Sequence, residues 1–219
     1  MTSVAELFNL DHTIAGAYLS RFQYPWEALS GIKETVLSLG AVLKKEEYDE
    51  ISTDIWVHRT AKVAVTAFLG APCIIGPATE IRHCAFIRGS VIIGGHCVIG
   101  NSVELKNSII FDNAQIPHFN YVGDSIVGYK AHMGAGSITS NVKSDKSCVV
   151  VKFGDKNIET GLKKFGAMIG DGAEIGCNSV LNPGTVIGAH AMIYPLSCVR
   201  GIVPPNVILK SDGSFTPKK

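Results

Sequence analysis

The chain has 219 residues, with 20 Lys and Arg against 19 Asp and Glu. That balance excludes a broad basic surface for nucleic acid or anionic lipid as the organising feature. No apolar run approaches the about 18 residues of a membrane span, and the opening MTSVAELFNLDHT lacks a basic segment followed by an apolar core, so the expected setting is cytoplasmic, with no membrane and no nucleic acid as partner.

Residues 1–56 carry no repeat and read as helical, a cap or docking segment. Asp11 is placed to cap a segment through Ile14, Tyr18 and Phe22. Pro25 suits the first turn of a second helix with Trp26, Leu29, Ile32, Val36 and Leu37 on one side and Gly40 just past its end. Trp26, Phe22 and Tyr24 read as packing residues over the open end of a larger unit, the alternative being a docking surface for another chain. Lys44 to Asp54 is charged and reads as a linker.

From Val57 onward an aliphatic residue recurs every six positions: Val57, Val63, Leu69, Ile75, Ile81, Ile87, Ile93, Ile99 and Leu105, with Phe111 closing the run. Four residues after each comes a small or β-branched side chain, from Ala61, Ala67 and Cys73 to Val103 and Ile109. Neither the helical period of about 3.6 nor the strand period of about 2 sustains such spacing. A coil of three short strands does, so residues 57–205 read as an all-β parallel β-helix.

Two interruptions stand out. At FDNAQIPHFNYVGD, Pro117 takes a place due to an aliphatic residue, and His118, Asn120 and Tyr121 gather there. From about 139 to 164 the hexads vanish, and Val149, Val150, Val151 and Ile158 around Gly154 suggest a two-stranded excursion, either a surface hairpin or an arm toward a neighbouring subunit. The hexads resume at Ile169 and run to Val199; Pro204 and Pro205 end the ladder, and residues 206–219 read as a disordered tail. Among six cysteines there is no C-x-x-C pair, and Cys73 and Cys97 in the inward slot read as inert thiols.

The chemistry-bearing set is Arg88, Lys106, His118, Tyr121, Asn141 and Lys164. Arg88 and Lys106 are three hexads apart, so they stack on one face and suit a phosphate. An imidazole titrating near neutrality suits His118 to proton removal from an amine, and backbone N–H groups near Gly134 and Gly136 are candidates for holding an oxyanion. A solvated edge for the cations and a backbone-bonded loop histidine are the plain alternatives.

The segments GNSVELKNS, PHFNYVGDSIVG, MGAGSITSN and KKFGAMIGD, in this order and spacing, resemble the hexapeptide-repeat acetyltransferase domain of the bifunctional N-acetylglucosamine-1-phosphate uridylyltransferase/glucosamine-1-phosphate acetyltransferase. The resemblance covers roughly residues 84–203 and implies a left-handed coil. It also implies His118 as general base, Arg88, Lys106, Tyr121 and Lys164 on the sugar phosphate, and Ala135 and Asn141 on acetyl-CoA. Departures are His132 for an Asn of the sugar site, Val142 for a Tyr, Cys177 for a Ser that meets the coenzyme, and a longer loop after Asn141. Lys210 is loosely placed for a terminal Arg at the coenzyme phosphates. A Gly-rich nucleotide loop and an H-x-x-x-x-H pair are absent, which argues against uridylyl transfer and a metal-dependent carbonic anhydrase.

The expected function is therefore N-acetylation of an amino-sugar 1-phosphate, glucosamine-1-phosphate foremost, with acetyl-CoA as co-substrate and no metal needed for the transfer. The resemblance implies a homotrimer. The rival readings are a non-catalytic sugar-phosphate or sugar-nucleotide binding module, working with a separately encoded nucleotidyltransferase docked on residues 1–56, and a structural scaffold with a vestigial site.

Overall fold

The computed structural model describes residues 2–153 and 156–218. From Ile55 to Leu209 the chain winds as a left-handed parallel β-helix of three faces, its short strands stacking coil on coil. On the first face the rungs run from Ile55–His58 through Cys73–Ile75 and Val91–Ile93 to Thr185–Ile187 and Ile202–Val203. The second face carries Phe68–Leu69, Phe86–Ile87, the first part of Glu104–Ile110 and the first part of Tyr121–Val127. A separate nine-stranded sheet forms the third.

Inside the coil Ile75, Ile81, Ile87, Ile93, Ile99 and Leu105 make one continuous apolar column, as the hexad spacing requires. Residues with positive φ recur at the bends, among them Ala78, Cys84, Ser90 and His96, each at a six-residue interval. Hydroxyls in the small inward slot bond to coil carbonyls; Thr79 Oγ1 donates to Gly94 O at 2.6 Å. Among the described residues no buried side-chain polar atom lacks a partner.

The rhythm departs from a strict six at one kind of place. Cys73 pairs with Val91, 18 positions on, but Val91 pairs with Ser108 and Ser108 with Ser125, 17 positions on each. One residue is missing at the bend near Asn107, so the inward slot passes to Ile110, while Ile109 and Phe111 turn outward into a second apolar cluster. The expectation that Ile109 and Phe111 line the coil is thus corrected. Likewise Ile116, not position 117, takes the inward slot in the Pro117 segment, and the coil continues through Gln115–His118 without a gap.

The second cluster explains the N-terminal segment. Along the first face, Ile74, Ile92, Ile109, Ile126, Met168 and Val186 form an outward ladder in register, all fully buried. They are covered by Trp26, Leu29, Ile32 and Val36. Each such aliphatic side chain removed from water contributes about 1.5–3 kcal/mol. The helices therefore lie along a side of the coil; they do not close its end. Pro25 does start the longer helical run, a 3-10 turn Pro25–Gly31 continuing into the α-helix Ile32–Gly40. The first expected helix is instead two short turns, Leu10–His12 and Gly16–Leu19, and Asn9, not Asp11, provides the cap. A longer helix is precluded where the His12 carbonyl accepts from Asp112 N at 3.0 Å and Asp171 Oδ2 accepts from Asn9 N at 2.7 Å, tying the segment to the coil.

Strands close the ends. Tyr48–Ser52, expected as linker, pairs antiparallel with Ile55–His58. At the other end Phe215–Pro217, expected as disordered tail, pairs antiparallel with Val207–Leu209. These added strands occupy rung edges that would otherwise offer unpaired backbone.

The excursion after Asn141 is a hairpin of Val150–Phe153 with Lys156–Glu159, as its valines suggest; the Gly154 turn lies outside the described residues. It folds back on its own coils. Val149 and Val151 are buried in the second apolar cluster with Val186 and Ile202, which corrects the reading of an arm extended to a neighbour.

Candidate active site

On the second face the register sets Glu104 beside Tyr121 and Lys106 beside Gly123, with Phe86 next to Glu104 one coil earlier. Arg88 follows Ile87, the partner of Leu105, so it shares a column with Lys106. Neither cation is alone. Arg88 Nη1 donates to Glu104 Oε1 at 2.8 Å, and Lys106 Nζ lies 3.2 Å from Asp124 Oδ2. The two anions were not singled out from sequence, although Glu104 and Asp124 stand within GNSVELKNS and PHFNYVGDSIVG.

Asp124 is the hub. Its residue is 4% exposed, and its carboxylate accepts from Lys106, from Asn107 Nδ2 at 2.9 Å, and from Asn141 Nδ2. Asn141 Nδ2 also donates to the Tyr121 hydroxyl at 3.1 Å. Tyr121 is raised above the ordinary phenol range, by burial first and then by the charges of Asp124 and Glu104, so it stays a neutral donor. Lys106, Tyr121 and Asn141 thus form one hydrogen-bonded group, with Arg88 and Glu104 at its edge.

His118 occupies the corner between the third and second faces, exposed, at the end of Gln115–His118. Its backbone is held on both sides: His118 N donates to Asn120 Oδ1 at 3.1 Å, and His118 O accepts from Gly136 N at 3.0 Å. Buried Asn120 is fixed in turn by its Nδ2 donating to Gly134 O and Ser137 O. The imidazole itself makes no hydrogen bond to the described residues, contrary to the backbone-bonded alternative. One coil earlier, any Cβ on Gly100 would fall on the Pro117 carbonyl. Pro117 presses the backbone inward here, and only glycine leaves room for it.

The corner continues as a ladder. Gly136 N bonds to His118 O, Asn178 N to Ala135 O, and Leu196 N to Cys177 O. His118, Ala135 and Cys177 thus sit on successive coils along one edge. Beyond them Tyr194 N bonds to Leu209 O, next to Lys210. A cleft of about 480 Å³ is lined there by Cys198, Arg200 and Lys210 among others. Arg200 was not anticipated; only the cleft it shares with Lys210 reveals it.

Three expectations fare differently. His132 lies on the third face in the column of Gln115 and Glu174, and its Nδ1 is 2.9 Å from Glu174 Oε2, so this chain does not bring it to the Lys106 group. Lys164 is exposed at the base of the hairpin, where Phe165 N donates to Asn141 O at 3.0 Å. The N–H groups of Gly134 and Gly136 themselves are taken, by Ile175 O and His118 O, while the Ala135 N–H between them makes no hydrogen bond to the described residues. Among the described residues no group of three or more His, Cys, Asp or Glu side chains is placed to hold a metal ion.

This fold, with its six-residue beat, makes the chain a hexapeptide-repeat β-helix protein. Residues 166–201 match the family described as bacterial transferase hexapeptide (six repeats), and residues 71–154 match the GMPPB C-terminal domain. More particularly, the chain resembles the C-terminal acetyltransferase part of bifunctional sugar-1-phosphate enzymes. It is 40% identical over 93 residues to the bifunctional sugar-1-phosphate nucleotidylyltransferase/acetyltransferase of Sulfurisphaera tokodaii, covering 42% of this chain and 23% of that protein. With the bifunctional protein GlmU of Methanococcus maripaludis strain C5 it shares 30% identity over 88% of this chain and 47% of the relative. The chain thus spans less than half the length of these relatives. The polySia-specific acetyltransferase NeuO is a solved structure with a TM-score of 0.46 at 13% identity, covering 73% of this chain and 81% of that one. No described helix is long and apolar enough to cross a membrane.

Proposed function

We propose that this chain transfers the acetyl group of acetyl-CoA to the amine of an amino-sugar 1-phosphate, glucosamine-1-phosphate foremost, with His118 as general base. The observation that carries the reading is the joining of two surfaces at one corner: the Arg88, Lys106, Tyr121 and Asn141 group on the second face, and the ladder His118, Ala135, Cys177 on its edge. The relatives' names, which pair sugar-1-phosphate nucleotidylyl transfer with acetyl transfer, support the substrate class.

The chemistry follows from these groups. An ammonium must lose a proton before its nitrogen can attack a thioester, and the unpartnered His118 imidazole is free to take it. Arg88 and Lys106, each already paired with a carboxylate, present both signs of charge to the sugar, which suits a substrate carrying an ammonium and a phosphate. Tyr121 orients it, while Asn141 meets acetyl-CoA. Among backbone donors the Ala135 N–H, which makes no hydrogen bond to the described residues, faces the thioester oxygen as it gains charge. Cys177 lines the pantetheine path, while Lys210 and Arg200 meet the coenzyme phosphates. Lys164 closes on the sugar from the hairpin base, and His132 serves the site of an adjoining copy. No metal takes part.

The assembly proposed is a homotrimer. The first face is covered by the chain's own helices and hairpin, so copies meet through the other faces and the corner between them, where Val65, Phe119 and Leu196 are exposed.

Release of free CoA thiol, followed with glucosamine-1-phosphate, galactosamine-1-phosphate or no sugar, tests the activity. Sugar-dependent release is expected, falling on the order of 10²-fold or more in His118→Ala. A folded chain that binds sugar phosphate but releases no thiol with either sugar would instead be the binding module.

A further inference from the structure

Asp124 draws two candidate site residues, Lys106 and Asn141, onto one carboxylate together with Asn107, and its surroundings lead away from the substrate toward the N-terminal segment. Asn107 stands at the bend where the coil is one residue short, with φ of +47°, a left-handed conformation that Asn and Gly adopt readily. Its Nδ2 donates at once to Asp124 Oδ1, at 2.9 Å, and to the carbonyl of Leu29, at 3.1 Å. Both amide protons are thereby used. Leu29 belongs to the helical run laid along the first face, and it is itself buried there. Trp26 of the same run stacks on Phe165, ring centroids 5.7 Å apart, and Phe165 N closes the hairpin base on Asn141 O.

We infer that Asp124 is the positioning residue of this site, setting the Lys106 ammonium and the Asn141 amide, and that Asn107 suspends it from the Leu29 carbonyl of the N-terminal segment. The inference rests on the proposed function for what Lys106 binds, though not for the linkage itself. A carboxylate this buried is tolerable only when its lone pairs are filled, and here Lys106, Asn107 and Asn141 fill them. The group is then rigid before substrate arrives. Lys106 keeps a defined direction in place of the freedom of a long surface side chain, and Asn141 has its amide nitrogen committed to Asp124 and the Tyr121 hydroxyl. Residues 1–56 become part of the site's framework, which gives a physical reason for a covered face beside an open one.

Two variants test this. Asp124→Asn keeps the shape but removes the charge, and sets an amide donor against the donors it now meets. Asn107→Gly deletes the amide while accepting the positive φ without strain. In the ligand-free full chain, Lys106 is labelled with acetic anhydride at mildly alkaline pH and its rate is divided by that of exposed Lys45 in the same molecule. Without the carboxylate the Lys106 amine is no longer held against Asp124 and reaches the reagent more freely, so the expected ratio rises several-fold in Asp124→Asn and by less in Asn107→Gly. In turnover, KM for the sugar phosphate rises on the order of 10-fold in either variant, the scale of a lost hydrogen bond to a charged group. A general loss of folding would instead show as loss of the cooperative thermal melt. If Asp124→Asn does not fold, Asn107→Gly decides. Labelling ratios equal to wild type in the folded variants overturn the inference. A wild-type chain without turnover counts against the proposed function alone, because the labelling does not depend on any sugar.

Discussion

Cys73 and Cys97 point into the coil, and burial pushes both thiols up to about 12. Cys84, Cys177 and Cys198 are exposed. A thiol reagent at pH 8 is therefore expected to modify Cys84, Cys177 and Cys198 in the folded chain and to leave Cys73 and Cys97 intact until denaturant is added, as mass spectrometry of the digested protein would report. Early modification of Cys97 would mean that the coil opens at that rung. Cysteine placement was readable from the hexad slot. The pairing of Arg88 with Glu104 and of Lys106 with Asp124 was not, because two oppositely charged residues a coil apart meet only once the register is set. Nor was the cleft shared by Arg200 and Lys210, which needs two different faces brought to one corner.

At the scale of an element, the N-terminal helical run is held by a close fit. A Cβ added to Gly40 would meet the six-membered ring of Trp56, a residue of the first rung whose side chain packs against the helix end. Gly40→Ala should lower stability by about 1–3 kcal/mol, the usual cost of forcing extra volume into a filled site. Thermal melts would show it, with solenoid circular dichroism at low temperature unchanged. An unshifted melt would mean that Trp56 has room to move. The apolar side of this run, from Trp26 to Val36, was legible in its periodicity; what it packs on was not. A helix pattern announces a buried face without naming its partner. The partner here is the outward ladder from Ile74 and Ile92 onward, which Ile109 joins because the coil loses a residue near Asn107 and its frame slips by one. A strict count of six hides that slip, since the neighbouring Ile109, Ile110 and Phe111 are all apolar.

The whole molecule leaves two faces for other copies of itself. Sedimentation velocity should give the mass of three chains, and Leu196→Asp, which puts a charge on the exposed apolar corner, should shift the population toward single chains. A wild-type chain that sediments as one copy would sink the trimer and, with it, the assignment of His132 to a neighbour's site. The sequence alone determined the architecture: a six-residue beat of aliphatic side chains can be buried together only by a three-sided coil, so periodicity and fold are one statement. It also singled out His118, Lys106 and Tyr121 as candidates for the chemistry. Only the tertiary structure decided which way the helices lie, that both chain ends add strands to the rungs, that the hairpin folds home, and that Asp124 gathers the site. Those outcomes depend on contacts between residues far apart in the chain, as Asn107 meets Leu29, and local pattern carries no record of such distant partners.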